Sequence, residues 1–372
     1  MRRVVQTIIF GAALLSCTGN YKGASLVDEI GTMPSFDSGY EQGVSACYAA
    51  IFNDTLYIAG GCNFPEIPAA NGGKKHYYKG IYKAAIGDTL QWQQSGELLT
   101  SSAYGATVQT GNQWIIAGGI NNDGASKAVY SINLANNCSI DTLPSLPLSI
   151  DNGAAAAINN CIYIVGGNVD GKPSNRVFTL DLRKRAEGWK EIASMPSRNR
   201  VQPVCAATAE ALYIWGGFTP ADSTGPATTH CDGVRYIFDI GKWEKLNNIS
   251  VNEISFTLSG GTAALLDSCT IIAAGGVDKD IFTDAISGTY CLTSKEEYML
   301  HPAEWYRFNQ RLVTYDTKNC KWELLMDDNV FARAGAIMLP YNNSVIYIGG
   351  ELKPGIRTPR IHIAKTDNTK QR

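Results

Sequence analysis

Leu56-Tyr57-Ile58-Ala59-Gly60-Gly61 is an apolar, β-prone run closed by a glycine pair, and five more runs of the same build follow it. They are WIIAGG ending at Gly119, IYIVGG at Gly167, LYIWGG at Gly217, IIAAGG at Gly276 and IYIGG at Gly350. About 15 residues upstream of each lies a run of small residues: GVSACYAAIF from Gly43, YGATVQT from Tyr104, DNGAAAAI from Asp151, VQPVCAAT from Val201, SGGTAALL from Ser259 and RAGAIML from Arg333. A third strand and a fourth bearing Trp189, Trp243 or Trp322 follow in several units. Self-similarity at this period marks a stacked repeat rather than a conventional core. Four short antiparallel strands cannot bury both sheet faces, so the units must pack face to face around an axis. The expected fold is all-β, a six-bladed kelch-type β-propeller. Small residues suit the crowded axial strand, and the glycine pair suits a turn where a Cβ would clash.

The last unit lacks a fourth strand after RIHIAKT, which starts at Arg360. The segment ASLVDEIGTMP, starting at Ala24, resembles the end of other units, so the N-terminal strand is expected to complete the last blade and clasp the ring. The glycine pairs are spaced by 58, 48, 50, 59 and 74 residues, which places insertions in blades one, four and five.

Composition narrows the function. With 32 Lys+Arg against 34 Asp+Glu, the net charge of −2 argues against a nucleic-acid or polybasic membrane partner. Only four histidines occur, without CxxC or HExxH spacing, so neither a metal site nor a cofactor is expected. Arg2 and Arg3 precede an apolar run over residues 4–15 that stops at Leu14-Leu15-Ser16-Cys17, a secretory signal with a lipobox-like end. The expected product is an exported bacterial lipoprotein on the periplasmic side of the outer membrane. Residues 1–16 are removed, Cys17 carries the lipid, and residues 17–372 form one propeller domain that touches the membrane only through that anchor. Nine of the ten cysteines lie beyond Cys17, several in apolar runs, and no disulfide framework follows from them.

Each unit is a control for the others, and departures mark candidate functional positions. After the glycine pair stand Cys62, Ile120, Asn168, Phe218, Val277 and Glu351, of which Glu351 alone carries a carboxylate. The Pro354-Gly355 turn that follows is expected to fold Arg357 back beside Glu351. The blade-one insertion, residues 62–80, holds Asn63, Phe64, His76, Tyr77 and Tyr78. The blade-five insertion, residues 294–310, reads as a short helical excursion with Trp305, Tyr306, Arg307 and Asn309. Aromatic faces and amides near a propeller mouth suit a polar ring such as a sugar.

These departures resemble the bacterial N-acetylneuraminate (sialic acid) mutarotases, or epimerases, which are exported six-bladed kelch propellers. The family string GE-x-KPG-x-R is matched by Glu351, Lys353, Pro354, Gly355 and Arg357. Val277 to Phe282 is similar to its V-x-x-x-IF string, and Phe308-Asn309 to the end of its long insertion. The order is rotated, as in a cyclically permuted member. The resemblance implies that Glu351 and Arg357 are catalytic, and that Tyr104, Arg200, Gln202, Phe282 and Asn309 join Asn63 and Phe64 in binding substrate. Ser102 stands where the family has an arginine before Ala-Tyr-Gly, and Ile120 where it has an acid.

The implied reaction interconverts sugar anomers by ring opening, with an acidic sugar as the small-molecule partner. Glu351 is the expected general base, and Arg357 the clamp for the sugar carboxylate, held off Glu351 so as not to weaken the base. The acid that protonates the ring oxygen is left open among water, a tyrosine and Lys353. The rival reading is a non-catalytic kelch propeller that binds a glycan or a protein.

Overall fold

The computed structural model describes residues 26–223 and 225–366. The signal segment and Cys17 lie outside the described residues. Six antiparallel sheets carry the chain, each a meander of four main strands. Numbered in chain order, sheet I opens with Tyr48–Phe52, II with Ala106–Thr110, III with Ala154–Ile158, IV with Val201–Ala207, V with Thr262–Leu265 and VI with Ile337–Tyr341. In sheet VI the fourth strand is Val27–Thr32, antiparallel to Arg360–Lys365 in a register running from Val27 opposite Ala364 to Thr32 opposite Arg360.

The apolar core is divided into wedges, each shared by two neighbouring sheets. Tyr48 and Ile81 of sheet I meet Trp114 and Ile132 of sheet II. Ile115 and Val129 meet Ile162 and Phe178 of sheet III. The series continues through III–IV, IV–V and V–VI and returns to the start, where Ile346 and Ile361 of sheet VI meet Ile58 and Tyr82 of sheet I. Sheets that are apolar on both faces can be buried only by such stacking. The fold is therefore nearly all-β and propeller-like.

Two repeated devices join sheet to sheet. The first is a belt of main-chain hydrogen bonds at the opening of each first strand. Tyr104 N donates to Ala46 O (3.2 Å), Asn152 N to Tyr104 O (2.8 Å) and Gln202 N to Asn152 O (2.8 Å). Gly260 N then donates to Gln202 O (3.1 Å), Gly335 N to Gly260 O (2.7 Å) and Ala46 N to Gly335 O (2.8 Å), so the belt returns to its origin. The second device is the glycine pair, whose members all have positive φ. A Cβ on Gly118 would lie 2.2 Å from Ile150 O, and one on Gly166 2.5 Å from Arg200 O, both in the connection to the next sheet. No other residue type fits so close to a neighbouring backbone. Tryptophans in or just before the outer strands staple sheets as well: Trp189 Nε1 donates to Pro144 O, Trp243 Nε1 to Ala193 O and Trp92 Nε1 to Thr32 O, at 2.7–2.8 Å.

The helical expectation for residues 294–310 needs correction. Among the described residues the one α-helix is Lys279–Ser287, and the insertion itself contributes only the 3₁₀ turn Ala303–Tyr306. Asp278 caps the helix by accepting from the N–H groups of Asp280 and Ile281, and Gly288 ends it in the left-handed conformation. His301 and Pro302, together with the crowded aromatics Tyr298, Trp305 and Tyr306, favour turns packed on one another over a regular helix.

Candidate active site at the mouth of the bore

The first strands of all six sheets enclose a bore of about 490 Å³, within the usual range for small-molecule sites. Its wall is mostly small and apolar, with Ala106, Ala154, Ala156, Ala206 and Ala263 among the lining residues. Polarity gathers at the mouth, where the hydrogen-bonded belt sets six equivalent positions: Ala46, Tyr104, Asn152, Gln202, Gly260 and Gly335. All six have φ between 52° and 70°, the left-handed region. The residue after each glycine pair lies across from the residue that precedes one of these positions: Cys62 faces Ser45, Ile120 faces Ala103, Asn168 faces Asp151 and Glu351 faces Ala334. The repeat comparison therefore compares positions that are equivalent in space.

Glu351–Lys353 and Ile356–Arg357 form a hairpin in which Glu351 and Arg357 are direct cross-strand partners. Pro354 leads into the turn and Gly355, at φ +82°, completes it. The hairpin is wedged between the two insertions, for a Cβ on Gly355 would fall 2.7 Å from Ala69 Cβ and 3.3 Å from Met299 Cε. Lys353 fastens it, its Nζ donating to His301 O (2.5 Å) and Met299 O (3.4 Å). Lys353 thus serves the architecture, and its ammonium is occupied.

Arg357 is almost fully buried, with 3% of its side chain exposed, while Glu351 keeps 21%. Contrary to the expected separation, the two are ion-paired through Arg357 Nη2 and Glu351 Oε1. A desolvated arginine at this depth needs a carboxylate, and the hairpin register supplies one. Arg357 Nε donates to Ser45 Oγ (3.2 Å), and the guanidinium lies 4.8 Å from the centre of the Phe64 ring. Arg357 Nη1 is buried with no hydrogen-bond partner among the described residues. Burial of an unsatisfied donor on a cation is costly, so this atom marks where a ligand oxygen is wanted.

Tyr104 reaches this corner from sheet II, and Lys75 from the sheet-I insertion. Lys75 Nζ donates to Tyr104 Oη (3.2 Å) and stands 4.8 Å from the centre of its ring. Burial first, and then the neighbouring Cys62 and Glu351, push the Tyr104 phenol well above the ordinary tyrosine range, with Arg357 opposing them. Burial likewise raises the Cys62 thiol against the pull of Lys75 and Arg357. Farther round the belt, Gln202 Nε2 donates to Asn152 Oδ1 (2.8 Å), and Asp151 accepts from Asn152 Nδ2 (2.6 Å) and Asn168 Nδ2 (2.8 Å).

The family model for N-acetylneuraminate epimerase matches residues 143–372, more than half of the chain. The chain belongs to the N-acetylneuraminate epimerase family. It is 30% identical over 235 residues to the N-acetylneuraminate epimerase of Salmonella enteritidis PT4 (strain P125109), covering 62% of this chain and 59% of that one. It is 29% identical over 232 residues to that of Haemophilus influenzae (strain PittEE), covering 60% and 59%. The matched region thus spans about three fifths of the length of these relatives. The solved structure of YjhT superposes with a TM-score of 0.63 at 16% identity, over 92% of this chain and 98% of that one, a likeness of fold.

Within this epimerase-family chain the structure gathers Glu351, Arg357, Phe64 and Tyr104 at one side of the mouth and sets Gln202 on the same belt. Three other expected binding residues have their polar atoms taken. Arg200 is wholly buried, with Nε on Ser197 Oγ (3.2 Å), Nη1 on Gly216 O (2.8 Å) and Asp232 O (3.2 Å), and Nη2 on Asp232 Oδ2 (2.9 Å). Arg333 holds the equivalent place in sheet VI, with Nη1 on Gly349 O and Arg360 O at 3.1 Å each, so this arginine is a recurring brace of the glycine pair. Asn63 Nδ2 donates to Gly39 O (2.7 Å) and Gly43 O (2.8 Å) while its Oδ1 accepts from Tyr78 (2.9 Å). Asn309 Nδ2 donates to Gly275 O (3.0 Å) and its Oδ1 accepts from Arg311 N (3.3 Å). Phe282 packs edge-on against Phe218, with ring centres 5.1 Å apart. Sequence reasoning missed Ser45, Lys75, Asp151 and Asn152. The one available signal for Lys75 was its place in an insertion that the other units lack.

Proposed function

We propose that the protein is a sialic acid mutarotase, an isomerase that interconverts the anomers of N-acetylneuraminate by ring opening. The single observation that carries this reading is the buried, unpartnered Nη1 of Arg357 beside the Glu351 carboxylate at the mouth of the bore. Glu351 opposes Arg357 and Lys75, which leaves one positive charge in excess on this side of the mouth and suits a monoanionic sugar. With Nε and Nη2 engaged, Arg357 grips the sugar carboxylate through Nη1, a one-sided contact rather than a two-pronged fork. Phe64 offers an aromatic face beside it, and Gln202 and Asn152 offer amides to hydroxyl groups. Glu351 takes the proton of the anomeric hydroxyl once the sugar carboxylate shares the Arg357 charge that Glu351 alone balances in the free protein. A positioned acid–base pair contributes about 10²- to 10⁴-fold, enough for a reaction that already runs slowly in water.

The architecture in this reading is a closed, six-bladed kelch-type propeller of one domain, clasped by its N-terminal strand and cyclically permuted relative to its relatives. Supporting it are the hydrogen-bond belt that returns to its origin and a sequence match that covers about three fifths of both chains while the fold match spans nearly all. Export as a lipoprotein held through Cys17 belongs to the same proposal. Mass spectrometry of the membrane-bound protein should find a lipidated Cys17, and a Cys17→Ala protein that is processed at the same site and loses no lipid mass would rule the anchor out.

The activity is tested by adding purified protein to one pure anomer of N-acetylneuraminate and following the other by NMR. Exchange that scales with protein concentration supports the proposal. Exchange at the buffer rate at every concentration rejects it and favours a binding module.

A further inference from the structure

Six equivalent belt positions adopt the left-handed conformation, and the units fill them very differently. Glycine takes the position in sheets V and VI and asparagine in sheet III, residue types that adopt positive φ at little cost. In sheet II the occupant is Tyr104 at φ +58°. A bulky side chain there costs on the order of 1–2 kcal/mol relative to glycine, and the other units show that the fold accepts glycine. Ala46 and Gln202 hold the same conformation in sheets I and IV, and Tyr104 differs from all five counterparts in bringing a hydroxyl to this corner of the mouth. Tyr104 lines the bore, and its hydroxyl lies close enough to Glu351 and Arg357 to feel both charges and accepts a hydrogen bond from the Lys75 ammonium.

On the mutarotase reading above, we propose that Tyr104 is the acid that protonates the sugar ring oxygen, and that Lys75 is a positioning residue that stabilises the phenolate left behind. Lys75 occupies one lone pair of the phenol oxygen, and the phenolic proton, which in the free protein faces the neighbouring Cys62 thiol, remains available for donation. In the forward step Glu351 removes the anomeric hydroxyl proton and the anomeric carbon–oxygen bond becomes a carbonyl. The ring carbon–oxygen bond breaks with its electron pair remaining on the ring oxygen, which takes the Tyr104 proton and becomes a hydroxyl. Glu351 is then protonated and Tyr104 is a phenolate facing the Lys75 ammonium. After rotation of the carbonyl carbon, Tyr104 recovers the proton from that hydroxyl as it attacks the opposite carbonyl face, and Glu351 returns its own to the new anomeric oxygen. Both groups end as they began, and no co-reactant is consumed.

The test compares Tyr104→Phe, Lys75→Gln, Lys75→Arg and Glu351→Gln in the anomer-exchange assay, with thermal unfolding recorded for each. Tyr104→Phe is expected to lower kcat by about 10²-fold or more with KM within about threefold. Lys75→Gln is expected to lower kcat by about tenfold and to move the alkaline limb of the pH profile to higher pH, because the charge that favours the phenolate is gone; Lys75→Arg should restore both. Wild-type kcat in Tyr104→Phe, or an unmoved alkaline limb in Lys75→Gln, overturns the assignment. If Glu351→Gln is inactive while Tyr104→Phe is fully active, the tyrosine acid alone falls. If both are fully active, the reading of the whole mouth falls with it.

Discussion

Replacing Arg200 with alanine separates a brace from a ligand-binding residue. Its side chain is 0% exposed and makes four hydrogen bonds, to Ser197, Gly216 and twice to Asp232. Asp232 is 45% exposed, so its carboxylate regains water when the guanidinium leaves. The Gly216 carbonyl does not. Hydrogen bonds to a charged group contribute about 1.5–3 kcal/mol each, and the truncated side chain also leaves a void. Discounting the contacts that solvent can replace gives a loss of about 3 kcal/mol, at the lower end for breaking a buried ion pair. At about 2–4 °C per kcal/mol for a large domain, the unfolding midpoint should fall by roughly 6–12 °C. The assay pairs a circular-dichroism melt with KM for the sugar at a temperature where the variant is folded, and KM should stay within about twofold. A midpoint shift of less than about 1 °C with a KM raised about tenfold would show that Arg200 binds substrate and that the brace is misassigned.

Two further predictions follow from particular contacts. Burial first, then the charges of Arg333 and Arg360, lowers the His362 pKa to about 4. Between pH 6.5 and 4 the unfolded chain therefore binds a proton that the folded one does not, and stability should fall by about 2–3 kcal/mol on acidification through that window. His362→Asn keeps an acceptor for Arg333 and should flatten this slope in urea unfolding, whereas an unchanged slope would count against a neutral buried imidazole. Gly355→Ala places a Cβ 2.7 Å from Ala69 Cβ at a φ of +82°. It should cost about 1 kcal/mol or more and lower kcat by displacing Glu351 and Arg357, with partial recovery in the Ala69→Gly double variant; undiminished turnover would show that the hairpin position is uncritical.

The architecture was legible in the sequence because its signals are steric. A glycine pair is needed wherever the next sheet's backbone approaches within a Cβ radius, and that demand recurs in every unit. The fourth strand of sheet VI was readable for the same reason, since Val27–Thr32 carries the end-of-unit pattern that the C-terminus lacks. Glu351 and Arg357 were visible as departures from a repeated background, although their ion pair was not, because spacing says nothing about how deeply a guanidinium is buried. Arg200, Asn63 and Asn309 have their polar atoms engaged for a common reason. Polar residues at repeat boundaries serve carbonyl and amide groups that the turns leave unpaired, and in sequence such residues look like ligands. Lys75 was hidden in the opposite way, as one of three lysines in a polar insertion with nothing to distinguish it from its solvated neighbours. The belt of left-handed residues was also unreadable, for only glycine and asparagine advertise that conformation.

Mutarotation in this protein depends, on the reading proposed above, on the Glu351 carboxylate. Its most direct test is the NMR anomer-exchange rate of Glu351→Gln on a single pure anomer of N-acetylneuraminate, with binding of the sugar measured on the same sample. The variant should still bind the sugar, and catalysed exchange should fall by about 10²- to 10⁴-fold, towards the buffer rate. Exchange at the wild-type rate in a variant that has lost the carboxylate would contradict it.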